Sequence, residues 1–145
     1  MINIKNVKGE TIYTSSKKTI KEALQEAIKK KVNLQGANLE GANLSGANLQ
    51  GANLIEATLK GANLYEADLT GANLYRANLQ ETDLRGANLR EVNLEGANLE
   101  GANLYRADLI GANLYKANLE GVLNYKSESV VLDLCNDIEK LLKKL

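Results

Sequence analysis

Residues 36–54 read GANLEGANLSGANLQGANL, a five-residue phrase that recurs almost four times without a break. The phrase extends in both directions, and residues 32–121 divide into 18 pentapeptides with no insertion or deletion. The centre of each pentapeptide, position i, is always leucine, from Leu34 to Leu119. Position i−2 is Ala in 15 repeats, i−1 is Asn in 14 and i+2 is Gly in 11, whereas i+1 varies freely. Any fold of this chain must therefore repeat every five residues.

A period of five suits neither regular secondary structure. On an α-helix successive leucines would lie about 140° apart, and on a straight strand they would alternate between the two sides. All of them can face one core only if the chain turns once per pentapeptide, and glycine at i+2 makes that turn easy. Seven repeats carry Glu, Arg or Lys at i+2. The pattern therefore predicts a turn that does not strictly require a positive φ.

The pattern A(N/D)LxG over residues 32–121 resembles the pentapeptide-repeat family. The resemblance implies an all-β solenoid, a right-handed quadrilateral β-helix with four pentapeptides per coil. The 18 repeats would then make four and a half coils, a rod roughly 20 Å long at about 4.8 Å per layer. The family often has Phe at some i positions, and this chain has none.

The segments on either side of the repeats have the patterns expected of caps. Residues 1–31 read as short strands followed by a helix, with Thr19 and Glu22 spaced for a capping box. Residues 122–145 carry the apolar stripe of an amphipathic helix. The sequence thus predicts an N-terminal strand-helix cap over 1–31, a β-helix over 32–121 and a C-terminal helix over 122–145.

The composition argues against several functions. The formal net charge is zero and histidine is absent, so nothing draws the whole chain to nucleic acid or membrane, and the usual general base is missing. The only cysteine, Cys135, cannot form an internal disulfide, and we expect a cytoplasmic protein. We expect no enzymatic activity, no cofactor and no metal site.

Residues twenty apart should stack on successive coils. One predicted column is Asp68–Asn88–Asp108, which we interpret as hydrogen-bonding the turn backbone rather than binding a cation. Another column contains Tyr65, Arg85 and Tyr105, which could form a cation–π ladder; we favour ordinary surface packing and keep an interaction surface as the alternative. A third column contains Tyr75 and Tyr115. Glu56 is expected to pair with Arg76.

The C-terminal stripe suggests self-association. It carries more apolar surface than a single capped end needs, so a homodimer through this helix competes with a monomeric cap. The candidate dimer contacts are Leu132, Leu134, Cys135, Ile138, Leu141, Leu142 and Leu145.

A rigid rod with variable outward positions predicts a non-enzymatic structural or protein-interaction module with an unknown protein partner. The family resemblance adds an alternative, because some members bind DNA gyrase by mimicking duplex DNA. The repeat region carries 11 acidic and 6 basic residues, which favours mimicry, but the bases are spread among the acids.

Overall fold

A computed structural model describes residues 1–123 of the chain. Its regular elements all precede the repeats: strand β1 (Ile2–Lys5), strand β2 (Thr11–Ser15) and helix α1 (Ile20–Lys29). The repeats that follow form a coil held by single parallel bridges rather than by long strands. The extended part of each repeat is short because a turn interrupts it in every pentapeptide.

The bridges define four pentapeptides per coil. Each i−1 residue pairs in parallel with the residue twenty positions later, from Asn38 with Thr58 to Asn103 with Leu123. Backbone hydrogen bonds link the same layers, as from Leu39 N to Thr58 O at 2.8 Å and from Thr58 N to Ala37 O at 2.9 Å. The four-sided architecture that the family resemblance implies is therefore present.

Leucine and alanine fill the inside of the coil. Every leucine at position i from Leu34 to Leu104 is at most 1% exposed, and most i−2 alanines are equally buried. Thr82 stands at one of these inward positions, and its Oγ1 donates to Leu59 O at 2.8 Å. The core is a stacked column of leucines, in which truncation to alanine costs about 2–5 kcal/mol per site.

The turns differ from expectation in one respect. In each turn the N–H of the next i−2 residue donates to the leucine carbonyl, as from Ala37 to Leu34 at 3.0 Å. The third residue of the turn, i+2, has a positive φ in every repeat, as in a type II turn. The prediction that the turn does not strictly require a positive φ is wrong for this coil, because the charged residues at i+2 adopt it as the glycines do. Their φ values lie between 53° and 59° at Glu56, Glu66, Arg76, Glu81, Glu91, Arg106 and Lys116.

The stacking of coils explains why non-glycine corners accept this backbone. The i+2 N–H donates to the next coil whether the residue is glycine or not: Gly61 N reaches Gln80 O at 2.8 Å, and Glu56 N reaches Tyr75 O at 2.9 Å. A corner with negative φ would not superimpose on its neighbours and would lose this bond. Each charged corner therefore accepts a backbone that costs of order 1 kcal/mol or more.

The residue at i−1 completes each corner. Its side-chain oxygen accepts the N–H of residue i+1 in every repeat that carries Asn or Asp there. This Asx turn supplies an acceptor to an N–H that the inter-coil ladder does not use. The frequent asparagine at i−1 therefore has a structural role in the corner, which aspartate also fills.

The N-terminal elements cover the first coil. β1 and β2 pair antiparallel, and the hairpin continues onto the coil through an Asn6–Ala37 bridge and a bond from Asn38 N to Lys5 O at 2.7 Å. α1 begins after a Thr19–Glu22 capping box, as the sequence predicted. Its buried face consists of Ala23, Leu24 and Ala27. The C-terminal helix expected over 122–145 lies almost wholly outside the described residues.

The positive φ at the corners predicts an asymmetry between two alanine substitutions. A Cβ at Gly61 would meet no atom within 4 Å, yet its φ is 62°. Gly61→Ala should therefore lower the free energy of unfolding by about 1 kcal/mol through the backbone alone. Glu81→Ala, in the same column, should change it little, because Glu81 already adopts φ 56°. Chemical denaturation followed by circular dichroism measures both, and equal effects would contradict the account.

Candidate interaction surfaces

The outward residues at i+1 stack into columns along the corners of the coil. We call the column that contains Tyr75 and Tyr115 the first tyrosine edge. In it, Glu56 N donates to Tyr75 O at 2.9 Å, and Gly96 N donates to Tyr115 O at 2.8 Å. We call the column that contains Tyr65, Arg85 and Tyr105 the second tyrosine edge. In it, Gly46 N donates to Tyr65 O at 2.8 Å and Gly86 N donates to Tyr105 O at 2.9 Å. The tyrosines of each edge are two coils apart, so about 9–10 Å separates their backbones.

The second tyrosine edge forms only part of the predicted ladder. The Arg85 guanidinium lies 5.5 Å from the Tyr65 ring centroid, and Asp83 holds it through contacts of 2.8 and 2.6 Å. Tyr105 is instead covered by its own neighbour Arg106, at 5.2 Å. Because Asp83 holds Arg85 on its own coil, the proposed second step from Arg85 to Tyr105 is not observed.

The first tyrosine edge contains two tyrosine–cation pairs. Arg76 lies 5.0 Å from the Tyr75 ring centroid, and Lys116 lies 5.1 Å from that of Tyr115. Among the ion pairs of residues 1–123 there is none between Glu56 and Arg76, so that expectation is wrong: Arg76 covers the ring beside it. These pairs could have been predicted from adjacent residues in the sequence, namely Tyr-Arg at 75–76 and 105–106 and Tyr-Lys at 115–116.

The Asp68–Asn88–Asp108 column is present, and both of its carboxylates accept hydrogen bonds from neighbouring residues. Asp68 accepts hydrogen bonds from the backbone and hydroxyl of Thr70 and from the Gln50 amide. Burial raises the pKa of Asp68, but these hydrogen bonds outweigh it and lower the pKa overall. Asp108 accepts from Ile110 N at 3.0 Å and from Arg90 at 3.2 Å. The turn-bonding interpretation of this column is therefore confirmed.

A groove of about 930 Å³ separates α1 from the first coil. We call it the cap groove; its lining residues are Lys17, Glu22, Gln25, Glu26, Ile28, Lys29, Lys30, Asn48 and Gln50. Lys21 crosses nearby from α1 to the coil, where its Nζ donates to Ser45 O at 3.1 Å. Sequence reasoning missed this groove because it depends on how the cap sits against a coil twenty residues further along the chain.

Glu26 anchors one wall of the cap groove. Its carboxylate accepts from the Ser15 hydroxyl and from Lys30 Nζ at 3.1 Å, and Lys30 also donates to the Tyr13 hydroxyl at 2.9 Å. The hydrogen bond from Ser15, followed by that from Lys30, lowers the pKa of Glu26 to about 2. This network ties β2 to α1.

Two further observations concern the part of the chain that the structure describes. Within residues 1–123, no helix has the length and apolar character needed to cross a bilayer. Over the same range, no three His, Cys, Asp or Glu side chains cluster as metal ligands would. The candidate dimer residues from Leu132 to Leu145 lie outside the described residues.

The stacked four-sided coil, its leucine core and its Asx corners define a β-helical repeat protein. The family model described as pentapeptide repeats (8 copies) matches residues 30–64, 52–90 and 87–123. The chain belongs to the pentapeptide-repeat family. Members fold as right-handed quadrilateral β-helices and are generally structural or interaction modules.

Solved structures of the family resemble the chain to different degrees. A pentapeptide repeat protein from the Arabidopsis thaliana thylakoid lumen is 35% identical, with 70% of each chain covered and a TM-score of 0.65. One from Nostoc PCC 7120 is 32% identical over 83% of this chain and 95% of the other, with a TM-score of 0.46. QnrB1, a plasmid-mediated fluoroquinolone resistance protein, is 23% identical over 59% of each chain, with a TM-score of 0.32. A comparison with curated proteins finds no match.

The depressed pKa of Glu26 predicts a loss of stability in acid. Folding favours the charged carboxylate, so the stabilisation is complete above the ordinary value of 4.5 and is lost as the pH falls towards about 2. Glu26→Gln should flatten the dependence of the melting temperature on pH between 5 and 2. Glu40→Gln, at an exposed position of the first coil, should keep the wild-type slope. Identical slopes for the wild type and Glu26→Gln would contradict the assignment.

Proposed function

We propose that the protein is a non-enzymatic interaction module whose rigid coil presents the two tyrosine edges to a protein partner. The observation that carries the proposal is the pairing of outward tyrosines with cations at Tyr65, Tyr75, Tyr105 and Tyr115. Tyrosine and arginine are enriched where proteins bind one another. The backbone ladder beneath these residues fixes their spacing, so little order has to be gained on binding.

The distribution of sequence variation supports the same proposal. The side chains at i−2 and i form the core, and those at i−1 make the corner hydrogen bonds. The residues at i+1 and the charged residues at i+2 are therefore free to differ between repeats. Tyr65 and Tyr115 are 39% and 42% exposed, enough surface for a partner to cover. We propose no catalytic role, because the sequence has no histidine and because the Asn and Asp side chains at i−1 accept hydrogen bonds from the backbone of the corners.

Binding to DNA gyrase by mimicry of duplex DNA is the alternative function. The excess of acidic residues in the coil favours it. Against it, Arg85 pairs with Asp83 and Arg90 pairs with Asp108, so cations interrupt the carboxylates along the described coil. Duplex DNA presents an unbroken row of charges instead. We therefore retain gyrase only as a secondary candidate.

We further propose a cytoplasmic location, on the basis of the single cysteine and its lack of an internal disulfide partner. The Arabidopsis relative comes from the thylakoid lumen. Fractionation of the native cells separates the two locations.

A homodimer through residues 131–145 completes the proposal. The inward leucines of the last described coil are less well covered than those upstream: Leu109 and Leu114 are 6% exposed and Leu119 is partly exposed, against at most 1% up to Leu104. In the sequence, residues 131–145 carry apolar side chains at helical spacing, more of them than one such end requires. A two-fold pairing would bury the surplus and block end-to-end growth of the rod.

The dimer predicts a particle mass of twice 15.7 kDa in light scattering after size exclusion at tens of micromolar protein. Leu132→Glu should convert it to the monomer mass and leave the far-ultraviolet circular dichroism of the coil unchanged. A wild-type mass of one chain at this concentration would exclude the dimer.

The tyrosine edges predict where a partner can be captured in native cells. A photo-crosslinking benzoylphenylalanine at position 115 should join the partner, because it replaces an exposed tyrosine of the first edge. The same residue at position 80, which is at i+1 of a corner without tyrosine, should capture at least fivefold less. Recovery of gyrase would select the alternative function, and equal capture at both positions would refute the tyrosine edges as the binding surface.

A further inference from the structure

The zero net charge of the chain conceals two regions of opposite sign. Residues 1–31 contain eight lysines and three glutamates, a net charge of +5, whereas residues 32–121 contain eleven acidic and six basic residues, a net charge of −5. The cap sits on one end of the rod, so the positive charge is concentrated there. The expectation that no overall field draws the chain to nucleic acid or membrane rests on the total charge, whereas the cap alone has a net positive charge.

The cap groove gathers part of this charge around a concave surface. Lys17 and Lys29 are exposed, and neither makes an ion pair with an acid within residues 1–123. Side-chain amides of Gln25, Asn48 and Gln50 line the same groove, together with the apolar side chain of Ile28. The lining therefore combines free cations, amide hydrogen-bonding groups and one apolar contact.

The two acids of the groove are already engaged inside the cap. Glu22 accepts the backbone N–H groups of Lys18 and Thr19, both at 3.2 Å, as the N3 member of the capping box. Glu26 accepts from Ser15 and Lys30. The hydrogen bonds of each carboxylate lower its pKa, which shows that internal donors stabilise the negative charge. Lys17 adds only the smallest of the attractions that lower the Glu22 pKa, and neither Lys17 nor Lys29 makes an ion pair within residues 1–123, so both can attract an external anion.

We propose that the cap groove binds an acidic peptide segment of a partner protein. Carboxylates of the peptide pair with Lys17 and Lys29, its backbone meets the amides of Gln25 and Asn48 beside Gln50, whose amide already donates to Asp68, and an apolar side chain packs on Ile28. A concave groove with amides suits an extended peptide better than a flat membrane. The cap has no arginine and its only tyrosine, Tyr13, lies under Lys30, so it lacks the stacking groups that single-stranded nucleic acid uses.

The inference rests on the proposed role as an interaction module but uses a surface separate from the tyrosine edges. Fluorescence anisotropy with the labelled probe peptide EDELEDELE, at 50 mM salt, tests it with the full-length protein. Wild type should bind, and Lys17→Gln with Lys29→Gln should bind at least about fivefold more weakly, as expected for the loss of two partly exposed ion pairs. The control is Lys5→Gln with Lys8→Gln, the same charge change outside the groove, which should weaken binding less than twofold.

Nuclear magnetic resonance of the unaltered protein supplies a measurement that needs no variant. The side-chain amide signals of Gln25 and Gln50 should shift on addition of the peptide, and that of Gln80 on the distant coil should not. The proposal is overturned if wild type does not bind at millimolar peptide, or if both lysine pairs matter equally. It is also overturned if single-stranded DNA of 20 nucleotides or vesicles with 30% phosphatidylserine bind more tightly through Lys17 and Lys29. If the cap groove does not bind the peptide, photo-crosslinking of a partner at position 115 can still succeed. The two proposals are therefore tested separately.

Discussion

The hydrogen bond from the i+2 N–H to the next coil, present at every corner from Gly36 to Gly101, is the interaction on which the rest of the structure depends. It forces the corner into a positive φ, and the corner turns the chain so that the following alanine and leucine point inward again. One corner out of register would expose a leucine and unpair two layers of backbone. This requirement explains why five charged residues that make the bond, including Glu56 and Arg76, adopt a backbone that glycine adopts more readily.

The same constraint decides which side chains remain available for function. Asparagine and aspartate at i−1 hold the corner through their side-chain oxygens, so even the stacked Asp68 and Asp108 are structural. Leucine and alanine are enclosed. What remains outward is i+1 and the charged i+2 residues, and here tyrosines and cations of adjacent positions pair with each other. The coil thus converts a monotonous sequence into a small number of fixed edges.

Much of this architecture follows from the sequence because its causes are local and periodic. The invariant leucine and the period of five predict the inward column, and the spacing of twenty correctly stacks Tyr65 under Arg85. Details that depend on competition between neighbours do not follow. Arg76 can reach both Glu56 and Tyr75, and the order of residues in the stacked columns does not predict that it lies over Tyr75. Likewise, the substitution of alanine by Thr82 gives no sign that its hydroxyl bonds Leu59 O.

The cap was the part least accessible to sequence reasoning. Its helix and capping box are local, and Thr19 and Glu22 are spaced as the motif requires. The cap groove instead joins α1 to Asn48 and Gln50, and the total charge of the chain hides the lysines that line it. Summing charge over structural units, rather than over the whole chain, reveals the difference between cap and coil.

The most direct test of the stacked coil is the proximity of residues twenty apart. In a Cys135→Ser background, pyrene labels at positions 80 and 100 should give strong excimer fluorescence, because these positions occupy one corner on successive coils about 4.8 Å apart. Labels at positions 80 and 90 should show only monomer emission, because these lie on opposite corners. Excimer emission from the second pair and its absence from the first would contradict the four-sided coil.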